Sequence, residues 1–261
     1  MEVFGYISLF FVGLVLGTLG GGGSILSVPI LVYLFSIDAV MASAYSLFIV
    51  GTTSLVGTFL KINAQMVHLR TGLTFGLPSL LAIFSTRKWL LPAIPDIIFQ
   101  ASSFELSKQE LILGVFALLM ILASRALIVK RSNDQLESPK QTSLYLVLVG
   151  LLTGILTGFV GAGGGFLIIP ALVYFANMRF KTAVGTTLLI ITANSLIGFL
   201  GDVINYQINW YFLLSITVLA VVGIMVGTHL AVNVSNQTLR RSFGWLVLGM
   251  GTLILVKELF I

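Results

Sequence analysis

Two clusters of glycine are the residues of this chain best placed to do chemistry: Gly20-Gly21-Gly22-Gly23 ahead of Ser24, and Gly161-Ala162-Gly163-Gly164-Gly165. Each runs directly into an apolar segment, opening at Ser24-Ile25-Leu26 and at Phe166-Leu167-Ile168. If those segments are helices, their first N–H groups have no partner within the helix, and the positive end of the helix dipole lies there. With no side chain in the way, glycine lets an oxyanion approach those donors closely. The chemistry to expect is reversible binding of a small anion. Bond making has little support, because the apolar segments carry no HExxH, no GxSxG and no carboxylate pair. Cysteine is absent from the 261 residues, which excludes disulfides, thiolate chemistry and cysteine metal sites. No enzyme activity, metal or cofactor is expected.

A second set of polar residues lies further along. Thr52 and Thr53 stand near Ser43, Tyr45, Ser46 and Ser54, and Asn194 and Ser195 stand near Thr186, Thr187 and Thr192. Single Ser and Thr residues in membrane helices mostly satisfy their own backbone. Asn194 is the exception, a strong hydrogen-bonding group deep in an apolar segment. For proton coupling the candidates are Asp38 and His229, with Asp202 and His68 beside them, although loop or interface duty is the plainer reading of all four. No Arg or Lys falls at the middle of an apolar segment. Anion binding must then lean on dipoles and hydroxyls, which suits weak binding and rapid release.

The elements that position these residues follow from composition. Hydrophobic residues make up 57% and charged residues 9%, against about 25% charged in ordinary soluble domains, so lipid is the expected solvent. Ten apolar segments can be marked, near 4–18, 24–37, 39–60, 69–85, 110–129, 143–158, 165–177, 182–201, 210–232 and 242–260. Segments one and two, and likewise six and seven, are short for a bilayer that needs roughly 20 residues. Each pair is expected to form a hairpin that enters the membrane, turns at its glycines and leaves. The net charge of +5 fits basic residues kept on cytoplasmic loops and needs no nucleic-acid partner.

Shifting the chain by 141 places lays Gly13, Gly17, Gly20, Gly22 and Gly23 on Gly154, Gly158, Gly161, Gly163 and Gly164. Leu26, Pro29 and Tyr33 fall on Leu167, Pro170 and Tyr174, and Ser54 and Gly57 on Ser195 and Gly198. Two related units are expected, 1–130 and 143–261, joined by a cytoplasmic linker at 131–142. Five segments per unit force the second copy to lie inverted. Charge agrees: Asp38 falls on Arg179 and Lys61 on Asp202, opposite signs at equivalent places. Lys61, Arg70, Lys130, Arg131, Lys140, Arg179, Lys181, Arg240 and Arg241 gather on one side, the cytoplasmic one, which leaves both termini outside. The polar stretch from Arg87 to Glu110 reads as an external loop, with Ile97-Ile98-Phe99 a candidate to lie on the membrane surface. The expected fold class is an all-α membrane protein, a polytopic helical bundle of two inverted repeats of five hydrophobic segments. Gly72 with Gly76, and Gly223 with Gly227, are small-xxx-small pairs expected to pack helices.

The stretches GTLGGGGSILSVPILV and GFVGAGGGFLIIPALV, with Ala44 to Gly57 and Val184 to Gly198 after them, resemble the TauE/SafE family of sulfite exporters and related anion permeases. The resemblance runs through both halves. It implies a transporter of sulfite or an organosulfonate in the bacterial cytoplasmic (inner) membrane, with Gly20 to Ser24 and Gly161 to Gly165 as substrate-binding elements. Gly165 stands where Ser24 offers a hydroxyl, so the two half-sites differ. Alternating access between inverted repeats is the expected mechanism, with a passive small-anion channel as the alternative. Coupling to protons and a homodimer are further expectations.

Overall fold

The computed structural model describes residues 2–95, 97–101, 104–128, 143–160 and 164–260. The linker at 131–142 and the candidate residues Gly161 and Gly163 therefore lie outside the described residues. Ten helices of eleven residues or more carry the described chain: α1 (Glu2–Leu19), α2 (Gly22–Phe35), α3 (Ala39–Asn63), α4 (Leu69–Ser85), α5 (Lys108–Ile128), α6 (Ser143–Val160), α7 (Gly165–Phe175), α8 (Phe180–Val203), α9 (Trp210–Leu230) and α10 (Asn236–Phe260). Five of them, α3, α5, α8, α9 and α10, are long and apolar enough to cross a membrane. Large apolar side chains such as Phe4, Leu81, Leu122, Tyr211, Val218 and Trp245 stand exposed on their outer faces. So many exposed apolar residues belong in lipid rather than water.

The helix boundaries repeat. Helices α6, α8 and α9 begin 141 residues after α1, α3 and α4. Local chemistry explains some of these starts. Asp38 accepts from the N–H groups of Val40 and Met41 at the head of α3, and Asn209 accepts from that of Phe212 at the head of α9. Ser36, at φ 54, ends α2 in the left-handed conformation.

Three expectations need correction. Helices α1 and α6 have 18 residues each, a few more than the apolar segments near 4–18 and 143–158, although their apolar parts, Phe4–Leu19 and Leu144–Val160, remain short beside the five long helices, as do α2 and α7 with 14 and 11. The fold is not purely helical, because Ile97–Ala101 (β1) pairs antiparallel with Phe104–Ser107 (β2). The stretch from Arg87 is not loop either. A π-helical turn, Thr86–Leu90, and a short turn, Leu91–Ala93, carry α4 onward, with Pro92 in that last turn.

Packing contacts give the directions of the helices. Along α3 and α8, Leu47 meets Gly198, Gly51 meets Leu196 and Gly57 meets Leu188, so the two equivalent helices run antiparallel. The first helix of each half packs along the fourth helix of the other. A side chain at Gly13 would run into the Ala220 carbonyl and one at Gly17 into that of Ile224. Correspondingly, Gly154 meets the Ser79 carbonyl and Gly158 meets Ile83. These contact pairs map onto each other under the 141 shift. Gly223 and Gly227 complete the α1–α9 seam against the backbone of Phe10 and Leu14, whereas a Cβ on Gly72 would meet side chains only, the nearest being Leu189 at 3.3 Å, and one on Gly76 the Ile190 side chain at 3.4 Å. The main apolar core gathers around α7 and α8, with Phe116, Phe166 and Ile191 in it.

Candidate functional site

The two glycine turns meet. A Cβ on Gly21 would fall 2.5 Å from the carbonyl carbon of Gly165, and one on Gly165 would fall 2.5 Å from the Cα of Gly21 and 2.7 Å from Cδ1 of Ile191. Ile191 lies halfway along the 24-residue α8, so the contact sits at mid-height in the bundle. Gly20 and Gly164 both take positive φ, +79 and +74, where glycine alone is unstrained. Gly22 opens α2, and Gly23 is pressed to the Val12 carbonyl, which turns α2 back along α1. The side chain of Ser24 lies outside the described part of the structure. Helices α2 and α7 start at this contact with no side-chain cap, while α3, α4 and α9 are capped by Asp38, His68 and Asn209.

Unsatisfied polar groups surround the crossing of α3 and α8. Ser54 and Ser195, 141 residues apart, are both fully buried, and among the described residues neither hydroxyl has a partner; the same holds for the Thr187 hydroxyl and the Oδ1 of Asn194. Buried polar groups in folded proteins are nearly always paired, so such a set marks a place for water or a polar ligand. Asn194 donates from Nδ2 to the Ser79 hydroxyl of α4 at 2.6 Å, which ties the two halves together and leaves the other end of the amide open. Thr53 is different. Its hydroxyl donates to the carbonyls of Ile49 and Val50, so that proton is used within its own helix. Thr52 is half-buried beside it.

The candidates for coupling separate. Asp38 is exposed and occupied in capping α3, at the end opposite His229. His68 caps α4 and its N–H donates to the Thr186 hydroxyl at 2.9 Å; the equivalent N–H of Asn209 donates to the Tyr45 hydroxyl at 3.0 Å. His229 lines a cavity of about 270 Å³ together with Lys61, Lys181, Thr228, Thr18 and Val184.

At the other end of the bundle, Arg87 lies fully buried. Its Nη1 donates to the Ser43 hydroxyl at 2.9 Å and to Asp202 at 3.1 Å. Asp202 is therefore an ion-pair partner, not a loop carboxylate. The sequence reads Arg87 as loop, yet the 141 shift lays it on Thr228, in the last turn of α9, which is the signal that helix continues past Ser85.

Residues 6–254 match the family described as sulfite exporter TauE/SafE. The chain belongs to the TauE/SafE family. Among TauE/SafE relatives, a "Probable membrane transporter protein" of Xylella fastidiosa (strain Temecula1) is 30% identical, covering 95% of this chain and 92% of that protein. "Probable membrane transporter protein YunE" of Bacillus subtilis (strain 168) is 27% identical over 89% and 90% of the two chains. A "Probable membrane transporter protein" of Methanocaldococcus jannaschii is 26% identical over 76% and 71%. No solved structure matches significantly. TauE/SafE membership and the five long apolar helices together make this a multi-pass protein of a membrane-transporter family.

Proposed function

We propose that the chain is a secondary transporter of a small sulfur oxyanion, sulfite or an organosulfonate, working by alternating access across two inverted repeats. The observation that carries this is the contact between Gly21 and Gly165 at mid-height, where two helices start without side-chain caps. In a bilayer such backbone survives only where protein or a polar cavity surrounds it, and converging helix N-termini favour an anion there. The unpaired hydroxyls of Ser54, Ser195 and Thr187 and the open end of Asn194 supply further neutral polar groups nearby. In this proposal Gly20 to Ser24 and Gly161 to Gly165 are the binding elements, and the glycine-broken pairs α1–α2 and α6–α7 bring them to the membrane midplane.

Inversion is supported by the antiparallel course of α3 and α8 and by the matched cap contacts, Tyr45 to Asn209 and Thr186 to His68. The basic residues Lys61 and Lys181 then mark the cytoplasmic end, and Arg87 with Asp202 the outer end. An anion channel is the alternative, and saturation of the flux separates the two. Purified protein in vesicles, loaded with labelled sulfite, sulfoacetate, sulfate or thiosulfate, tests the proposal. Saturable uptake of at least one sulfur anion that follows an imposed proton gradient is expected. Non-saturating flux indicates a channel, and no flux of any of them removes the anion site.

A further inference from the structure

Three positions and their counterparts 141 residues away occupy opposite ends of the bundle and hold different chemistry. At one end Ser43, Arg87 and Asp202 form a buried cluster through Nη1 of Arg87, whose Nε and Nη2 have no partner among the described residues. Their counterparts are Val184, Thr228 and Lys61. Where Asp202 places a carboxylate, Lys61 places an ammonium. Where Arg87 fills the space with a guanidinium, Thr228 leaves a hydroxyl, and Val184 offers no polar atom. At the first end the Arg87 side chain fills this position, with a separate cavity of about 450 Å³ beside Asp38, Lys108 and Tyr206, whereas at the second the position itself lines the cavity of about 270 Å³.

Lys61 is only 6% exposed, and among the described residues its ammonium has no hydrogen bond or ion pair. The Thr228 hydroxyl in the same wall is also buried and unpaired. Lys181 brings a second cation, its Nζ donating to the Val232 carbonyl, and among the described residues no carboxylate lines the space. A cation confined to so narrow a cavity gains when a counter-ion joins it. The fold supplies an anion at the equivalent place in its other half and withholds one here.

We propose that this cavity is a binding site for a small free oxyanion, held by the Lys61 ammonium and the Thr228 hydroxyl with Lys181 alongside. It is a loading station for the glycine turns. Thr18 and Val184 form its inner wall, and Val184 touches Gly20, where a Cβ would fall 2.5 Å from its Cγ1. This builds on the anion-transport proposal and adds a second station with its own residues. Lipid headgroup phosphate shares the chemistry, and exposed Leu60, Met225 and Val232 beside the cavity would meet lipid tails. The free anion is favoured because Val184, in the cavity wall, packs directly against Gly20 of the first glycine turn.

Binding of labelled sulfite and methanesulfonate to the purified full chain in a maltoside detergent, which contains no phosphate, is the test. Lys61→Met is expected to weaken binding by about tenfold or more, the loss of one charge-assisted contact, while Lys61→Arg stays within about threefold of the native protein. Thr228→Val, which keeps the shape, is expected to weaken it less, and the rise in melting temperature on adding sulfite should shrink in the same order. Equal affinity in native protein and Lys61→Met overturns the site and leaves anion transport standing, because the native protein still binds and carries the anion. If the native protein binds neither anion but retains phosphatidylglycerol through purification, and Lys61→Met does not, the free-anion site is overturned in favour of a lipid site. Absence of both binding and vesicle flux in the native protein is the separate result that removes the transport proposal itself.

Discussion

Gly21 and Gly165 touch backbone to backbone, so neither position has room for even a methyl group without separating the two turns. Gly21→Ala should force the turns apart, with an overpacking cost of about 1–3 kcal/mol, and Gly21→Val more. Transport in vesicles should fall at least about tenfold for the alanine variant, since misplacing binding groups by an ångström costs that much or more. Comparable amounts of monodisperse protein should still be extracted from the membrane. Native flux in Gly21→Val would detach the turns from the mechanism.

Arg87 and Asp202 are each other's only charged partners among the described residues and are both buried. Asp202→Asn leaves the guanidinium uncompensated and should cost about 3–5 kcal/mol, read as a drop in melting temperature in detergent. The double variant Arg87→Met with Asp202→Leu should recover most of that loss. If Asp202→Asn melts with the native protein, the pair is not what holds this end shut.

Asn194 has two duties that can be separated. Asn194→Leu removes both the bond to Ser79 and the open end of the amide, whereas Ser79→Ala removes the bond alone. Polar bonds between membrane helices average about 0.6 kcal/mol, so both variants should lose a similar small amount of stability. Only Asn194→Leu is expected to raise the KM for the transported anion. Equal KM values in the two variants would confine Asn194 to bracing.

Tyr45 and Thr186 make equivalent bonds to the N–H of the residue that caps the other half's fourth helix, Asn209 and His68. Tyr45→Phe and Thr186→Val should therefore be matched lesions, each about 1 kcal/mol by melting, and additive when combined because the sites lie at opposite ends. A large excess of the double variant over the sum would mean that the two ends are coupled through the bundle.

Much of this was legible in the residues. The starts of α3 and α8 fall within two residues of the apolar segments, because Asp38 and Arg179 sit at polar breaks before long apolar runs. The glycine turns were visible as repeated clusters that interrupt the apolar segments. Arg87 escaped for a physical reason: hydropathy weighs a residue alone, but burial of a guanidinium depends on a carboxylate 115 positions away. The bond between Asn194 and Ser79 is hidden in the same way. Thr53 shows the converse error. A hydroxyl deep in an apolar helix looks available until its own backbone is seen to hold it.

The seams between α1 and α9 and between α6 and α4 carry a consequence for a severed chain. Among the described residues, the grooves at Gly13 and Gly17 are filled by Ala220 and Ile224, and those at Gly154 and Gly158 by Ser79 and Ile83. A polypeptide cut at residues 131–142 would leave both grooves empty in each fragment. Co-expressed fragments would then have to find one another in the bilayer before either could bury its bare stripe.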